Sequence, residues 1–215
     1  MNFFDINFTL FNFFGTNVSL LETLSVFFGL FCVFLAGRGK IINYWFGYIY
    51  TLLLFFLFMQ KHLYSSMLLQ PISLAIAIFG HYRWAHPREG EHNKQHQLKI
   101  TILSWKERFM SLGVVVLFMI FWGLLMARLP IIWPEIFSPA TRPYLDAFVV
   151  GMIMLAQYLS AQKKIDCWGA WIIINITNIT LHTLAGLAFM PLIGVAYFIL
   201  AFFGIASWRK QWREQ

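Results

Sequence analysis

Along this 215-residue chain, apolar positions gather into long blocks separated by short polar stretches. Seven blocks stand out, roughly at 20–36, 43–60, 66–84, 109–127, 144–160, 167–184 and 190–207. About 20 apolar residues cross a bilayer as a helix, and somewhat shorter runs span with help from flanking residues. The pattern predicts an all-α integral membrane protein with seven transmembrane helices. Ahead of them lies a Phe-rich start containing Phe3, Phe4, Phe8, Phe11, Phe13 and Phe14. It has no Lys or Arg, so it lacks the basic region of a cleavable signal peptide. It reads as a short helix lying at the membrane interface.

The sixth block breaks its own apolarity in a regular way. Trp168, Trp171, Asn175, Asn178 and His182 follow one another at steps of three, four, three and four residues. At about 100° per residue they fall on one helical stripe roughly 80° wide. Lipid offers no hydrogen bonds, so two amides and an imidazole on one stripe must face protein or a water-filled cavity. Two indoles beside them can stack a ring or hold a cation. The stripe predicts an intramembrane binding site for a small, polar, aromatic molecule. Blander readings stand beside it. Trp168 can anchor at the inner interface, Trp171 and Asn175 can pack, Asn178 can bond a neighbouring helix, and His182 can be a packed histidine. Tyr44 and Tyr48, one turn apart in the second block, line the same cavity or anchor at the interface. Gln70 in the third block divides the same way.

Composition agrees with the membrane reading: 60% of residues are hydrophobic and 12% charged, with mean hydropathy +0.67. A soluble domain carries about 25% charged residues. Charge also orients the chain. With the N-terminus outside, the inner side receives Arg38, Lys40, Arg83, Arg88, Lys94, Lys99, Lys106, Arg108, Lys163, Lys164, Arg209, Lys210 and Arg213. The outer side receives only Lys61, Arg128 and Arg142. This bias places the 85–108 loop and the C-terminus in the cytoplasm. It also accounts for the net charge of +7 without nucleic acid, because the cations are spread over short loops. Glu22 and Asp146 open the first and fifth helices on the outer side, where the helix dipole favours anions. A cation-attracting vestibule is the sharper reading of the same pair.

The chain also repeats itself. At a shift of 124 residues, Leu21-Glu22 falls on Leu145-Asp146, Lys40-Ile41 on Lys164-Ile165, and Tyr44 on Trp168. Leu57 falls on Leu181, Leu63 on Leu187, Phe79-Gly80 on Phe203-Gly204, and Trp84 on Trp208. The expected organisation is a single transmembrane domain. It holds one repeat at about 20–84, a linker helix at 109–127 and a second repeat at about 144–208. Three helices are an odd number, so the linker is needed to make the two bundles parallel. Parallel repeats with substrate held between them near the midplane are a transporter architecture.

Several stretches resemble the PnuC family of bacterial vitamin transporters. They are Leu63-Tyr64-Ser65-Ser66-Met67-Leu68-Leu69-Gln70, Phe79-Gly80-His81-Tyr82-Arg83-Trp84 and Trp168-Gly169-Ala170-Trp171-Ile172-Ile173-Ile174-Asn175. The last looks like that family's W-x-x-W-x-x-x-N motif. Glu22 and Asp146 match its acidic positions. His81 departs from the family's usual G-W-Y, which bears on substrate identity. The resemblance implies a 3+1+3 helix arrangement related to the SWEET sugar transporters, a homotrimer, and facilitated diffusion across the bacterial inner membrane. It implies nicotinamide riboside as substrate, trapped inside by phosphorylation. Relatives that import thiamine or riboflavin define the alternative.

The residues agree with a nucleoside of that kind. Trp168 and Trp171 can face a pyridinium, and Asn175, Asn178 and Gln70 can each donate and accept. The helix centres contain no Lys or Arg for an ionised phosphate, so an unphosphorylated substrate is expected. No H-E-x-x-H, no G-x-S-x-G and no paired intramembrane carboxylates argue for an enzyme. No cofactor or metal is expected. His81, His86, His92 and His96 mostly lie in a polar loop without Cys partners. Cys32 and Cys167 read as small packing residues. A receptor or scaffold would explain a bundle but not a polar interior stripe. A proton symporter would call for a mid-helix carboxylate, and none is present.

Overall fold

The structure, a computed structural model, describes residues 9–13, 15–60, 64–94, 96–135, 142–184 and 189–215. Seven helices follow one another: α1 (Leu20–Gly37), α2 (Asn43–Gln60), α3 (Tyr64–Ala85), α4 (Trp105–Ile132), α5 (Pro143–Ala161), α6 (Asp166–Leu184) and α7 (Phe189–Glu214). They match the seven apolar blocks to within a few residues at most ends. The α4 helix starts earlier, because Ser104 and Glu107 form a reciprocal capping box at its first turn. Among the described residues, α1, α4, α5 and most of α7 are long and apolar enough to cross a membrane. The other three helices carry the polar positions read above, and this lowers their hydropathy.

Where the described residues begin, at 9–13 and 16–19, strands form in place of the expected interfacial helix. Residues 1–8 and Phe14 lie outside the described residues. After them, β1 (Thr9–Phe13) pairs antiparallel with β2 (Thr16–Ser19). Gly15 turns the chain at φ +81°, and its N–H donates to the Asn12 side chain at 2.9 Å. The Asn12 amide donates to Asn17 across the pair at 2.8 Å. The Asn and Gly chemistry of the turn, together with the β-propensity of Phe, Thr and Val, outweighs helix formation here.

Packing follows a closed order: α1 on α2, α2 on α3, α3 on α5, α5 on α6, α6 on α7, and α7 back on α1. These six helices surround an interior. The α4 helix packs on α5, and Phe109, Leu117, Phe121 and Ile131 remain exposed along it.

The same local geometry occurs twice, 124 residues apart. After α1, Arg38, Gly39 and Lys40 donate to Phe34, Ala36 and Leu35. After α5, Gln162, Lys163 and Lys164 donate to Tyr158, Ser160 and Leu159. The second residue of each turn is left-handed, Gly39 at φ +68° and Lys163 at φ +55°. Glycine takes that conformation freely, whereas lysine is strained in it. The indole N–H groups of Trp84 and Trp208 then join opposite halves. Trp84 donates to Ser160 O at 3.2 Å, and Trp208 donates to Ala36 O at 2.9 Å. Small residues let the helices close at these places. A Cβ on Gly80 would lie 2.8 Å from Ala161 Cβ, and one on Gly37 would lie 3.4 Å from the Gly204 backbone.

Candidate functional site

The start of α6 is held from two sides. Asp166 accepts from the Arg108 Nε at 2.8 Å and from the Leu103 backbone N–H at 2.8 Å. Thr101 pairs with the α5–α6 turn, donating to Lys163 O and accepting from Ile165 N. The stripe is thereby fixed in position relative to the connection between α3 and α4.

Trp168 is 2% exposed. A Cβ on Gly204 would come within 2.5 Å of its ring, and Trp208 meets it edge-on at 5.4 Å. Its indole nitrogen is buried without a hydrogen-bond partner among the described residues. The ring is a wedge between α6 and α7 in this conformation. Trp171 sits deeper and packs against both buried clusters of the protein. Asn175 is 7% exposed, and no hydrogen bond reaches its amide or that of Asn178 among the described residues. His182 lies on α6, but its side chain falls outside the described residues.

On the opposite side of the interior, Tyr44 is the counterpart of Trp168. A Cβ on Gly80 would strike its hydroxyl, as one on Gly204 would strike Trp168. Tyr44 meets Trp84 edge-on at 5.3 Å, which matches the Trp168–Trp208 pair. Tyr44, Trp84, Trp168 and Trp208 share one buried cluster, with Tyr48 and Trp171 packed against it. The structure thus brings four of the expected aromatic residues together. His81 joins them, stacked on Tyr44 at 5.4 Å and within 2.9 Å of the Tyr48 hydroxyl through Nδ1. Gln70 is buried on α3 and donates to Ser66 O of its own helix. No hydrogen bond or ring contact among the described residues joins Gln70 to the α6 stripe.

Glu22 is buried and accepts from the Ser19 N–H in a capping box. Its first duty is to start α1. Asp146 is exposed in the first turn of α5. The two acids sit on different helices. Cys32 and Cys167 are free thiols.

Three roles escape the sequence reading. Lys163, 3% exposed, places its ammonium 4.8 Å from the Trp84 ring centre. Burial pulls its pKa down to about 8. The Trp208 indole bond to Ala36 spans 172 residues and leaves no local signal. Gln157 on α5 has a buried Oε1 with no partner among the described residues. Its signal was faint: one amide at helical spacing from Asp146, Val150, Ile153 and Ser160.

Known proteins resemble the chain over nearly its full length. The nicotinamide riboside transporter PnuC of Escherichia coli (strain K12) is 30% identical, covering 94% of this chain and 90% of that protein. The protein of the same name from Neisseria mucosa is 27% identical, covering 89% and 73%. The riboflavin/roseoflavin transporter RibM of Streptomyces davaonensis is 24% identical, covering 68% and 65%. The crystal structure of the vitamin B3 transporter PnuC superposes with a TM-score of 0.66 at 23% identity, covering 90% of this chain and 82% of that one, and so shares the fold. The family described as nicotinamide mononucleotide transporter matches residues 19–210. These relatives are membrane transporters, not enzymes. The chain belongs to the nicotinamide mononucleotide transporter family.

Proposed function

We propose that the chain carries nicotinamide riboside across the bacterial inner membrane by facilitated diffusion, with phosphorylation inside trapping the product. One observation carries the reading. Interior helices hold side-chain amides: Gln157 has a buried Oε1 without a partner among the described residues, and no hydrogen bond among them reaches the buried Asn175 or the half-buried Asn178. An unmet buried amide costs about 1–3 kcal/mol, which a polar ligand can offset. Trp171 adjoins them as an aromatic face for a cationic ring. The family's name points to the nucleotide, but the helix centres supply no Lys or Arg to match an ionised phosphate. The two relatives named for nicotinamide riboside support the nucleoside.

Three further parts of the reading go with it. The helices are arranged as two parallel three-helix bundles joined by α4, in a SWEET-like 3+1+3 order. Three copies assemble into a homotrimer, as the family resemblance implies. The N-terminus is periplasmic and the C-terminus cytoplasmic, from the distribution of Lys and Arg. A fluorescent reporter that stays dark in the periplasm, fused after Gln215, should light up. A dark fusion in cells that insert the protein normally would reverse the orientation.

Side-by-side binding to purified protein tests the substrate. Nicotinamide riboside should bind at least about tenfold, or 1.4 kcal/mol, tighter than nicotinamide mononucleotide, thiamine or riboflavin. Riboflavin belongs in the panel because of the RibM relative. Preference for the nucleotide or for riboflavin would overturn the assignment.

A further inference from the structure

Gln157 is an interior amide that none of the motifs above contains. We propose that Gln157 reads the carboxamide on the substrate's ring and so sets the specificity of the site. This rests on the nicotinamide riboside reading.

Its direction follows from the neighbours of α5. Tyr158 and Ala161 meet α3, through a stack on Phe79 and the close approach to Gly80. Met152 and Ala156 cluster with Ala170 and Ile174 of α6. Tyr144 and Gly151 receive α4, at Gly123 and Phe118. At about 100° per residue, Gln157 falls between the α3 and α6 strips and roughly 120–140° from the α4 strip. That side of α5 faces the interior of the six-helix ring.

Its depth follows from the turn. The α5 and α6 helices run antiparallel through the tight connection at 162–165, and Ala156 lies in one cluster with Ala170. Gln157 is therefore level with Trp171. Trp168 is closed off by Gly204 and Trp208, which leaves Trp171 as the indole able to carry a ring. A ring lying on Trp171 holds its substituents in a plane at the height of Gln157.

The chemistry matches on both sides. Gln157 Oε1 is a buried acceptor without a partner, and no hydrogen bond reaches its amide nitrogen among the described residues. A primary carboxamide offers the complement, N–H donors for Oε1 and a carbonyl for Nε2. Asn175 and Asn178, one and two turns along α6 from Trp171, are left for the ribose hydroxyls. Gln157 is neutral, so it orients a cationic ring without adding a charge to be desolvated. Its counterpart 124 residues earlier is Val33, so only one half of the molecule carries this amide.

The test uses purified full-length protein and two ligands, nicotinamide riboside and N-ribosylpyridinium, which lacks the carboxamide. Gln157→Met keeps the volume and removes the hydrogen bonds. Wild type should prefer nicotinamide riboside by about tenfold or more, the worth of one well-made hydrogen bond pair in an enclosed site. Q157M should bind the two ligands within about threefold of each other, through loss of nicotinamide riboside affinity alone. Its ligand-free thermal midpoint should equal or exceed that of wild type, because an unmet amide has been removed. Gln157→Asn withdraws the amide by one methylene and should give an intermediate preference. A preference that survives in Q157M, or a wild type that binds both ligands equally, overturns the role of Gln157. A lower ligand-free midpoint in Q157M with the preference intact makes Gln157 a structural residue. A wild type that binds neither ligand overturns the substrate reading itself, and this proposal with it.

Discussion

At the scale of single residues, the division of labour along α6 is the informative result. Trp168 and Trp171 look alike in the sequence, three residues apart on one stripe. Packing separates them: Trp168 is wedged against Gly204, whereas Trp171 packs against both buried clusters. Trp171→Ala and Asn175→Ala should each weaken nicotinamide riboside binding by about 1–3 kcal/mol, with insertion and assembly intact. The loss is a stacking face in one case and a hydrogen-bond partner in the other. Titration of the purified variants checks this, and wild-type affinity in a well-folded variant would return that residue to packing. The stripe itself was legible because polar residues inside an apolar block have a period. Gln157 was not, since one amide in α5 has no period to reveal it. Glu22 was legible as an acid at a helix start. Its capping role depends on the preceding Ser19, which the vestibule reading had not used.

At the scale of elements, seven helices were readable from block lengths alone, and their ends from caps and turns. The hairpin at 9–19 was not. Its Phe residues suit an interfacial helix as well as a strand, and the choice rests on Asn12 and Gly15 at the turn. Long-range side-chain bonds between elements were equally hidden, because an indole gives no local sign of which carbonyl it will meet. Trp84 and Trp208 make equivalent bonds, each from the end of one half to the first helix of the other. Trp84→Phe and Trp208→Phe should each destabilise by about 1–3 kcal/mol, combining the lost hydrogen bond with lost ring area. Unfolding in mixed detergent micelles gives the values. The two should agree within about 1 kcal/mol. A neutral effect at one position beside a large effect at the other would show that the matching geometry does not carry matching energy. Lys163 near Trp84 is the main departure from symmetry, a strained and desolvated cation where the first half has Gly39.

At the scale of the whole molecule, six helices enclose an interior whose polar groups include amides, phenols, indoles and the His81 imidazole. The described Asp and Glu residues lie elsewhere, among them Glu22, Asp146 and Asp166 in the first turns of α1, α5 and α6, and Glu91 beside Arg83 in the connection after α3. Among the described residues the interior holds no carboxylate to couple a proton to substrate movement, and the His81 imidazole is engaged with the Tyr48 hydroxyl. The proposed transport is therefore passive. A cationic substrate still responds to voltage, at about 2.3 kcal/mol per charge per 100 mV, so the potential must be held at zero. The most direct measurement is uptake of nicotinamide riboside into proteoliposomes under that clamp, with proton and sodium gradients imposed in turn. Internal free substrate should rise to the external concentration and stop there with either gradient. Accumulation beyond the external concentration, driven by either ion, would contradict passive transport.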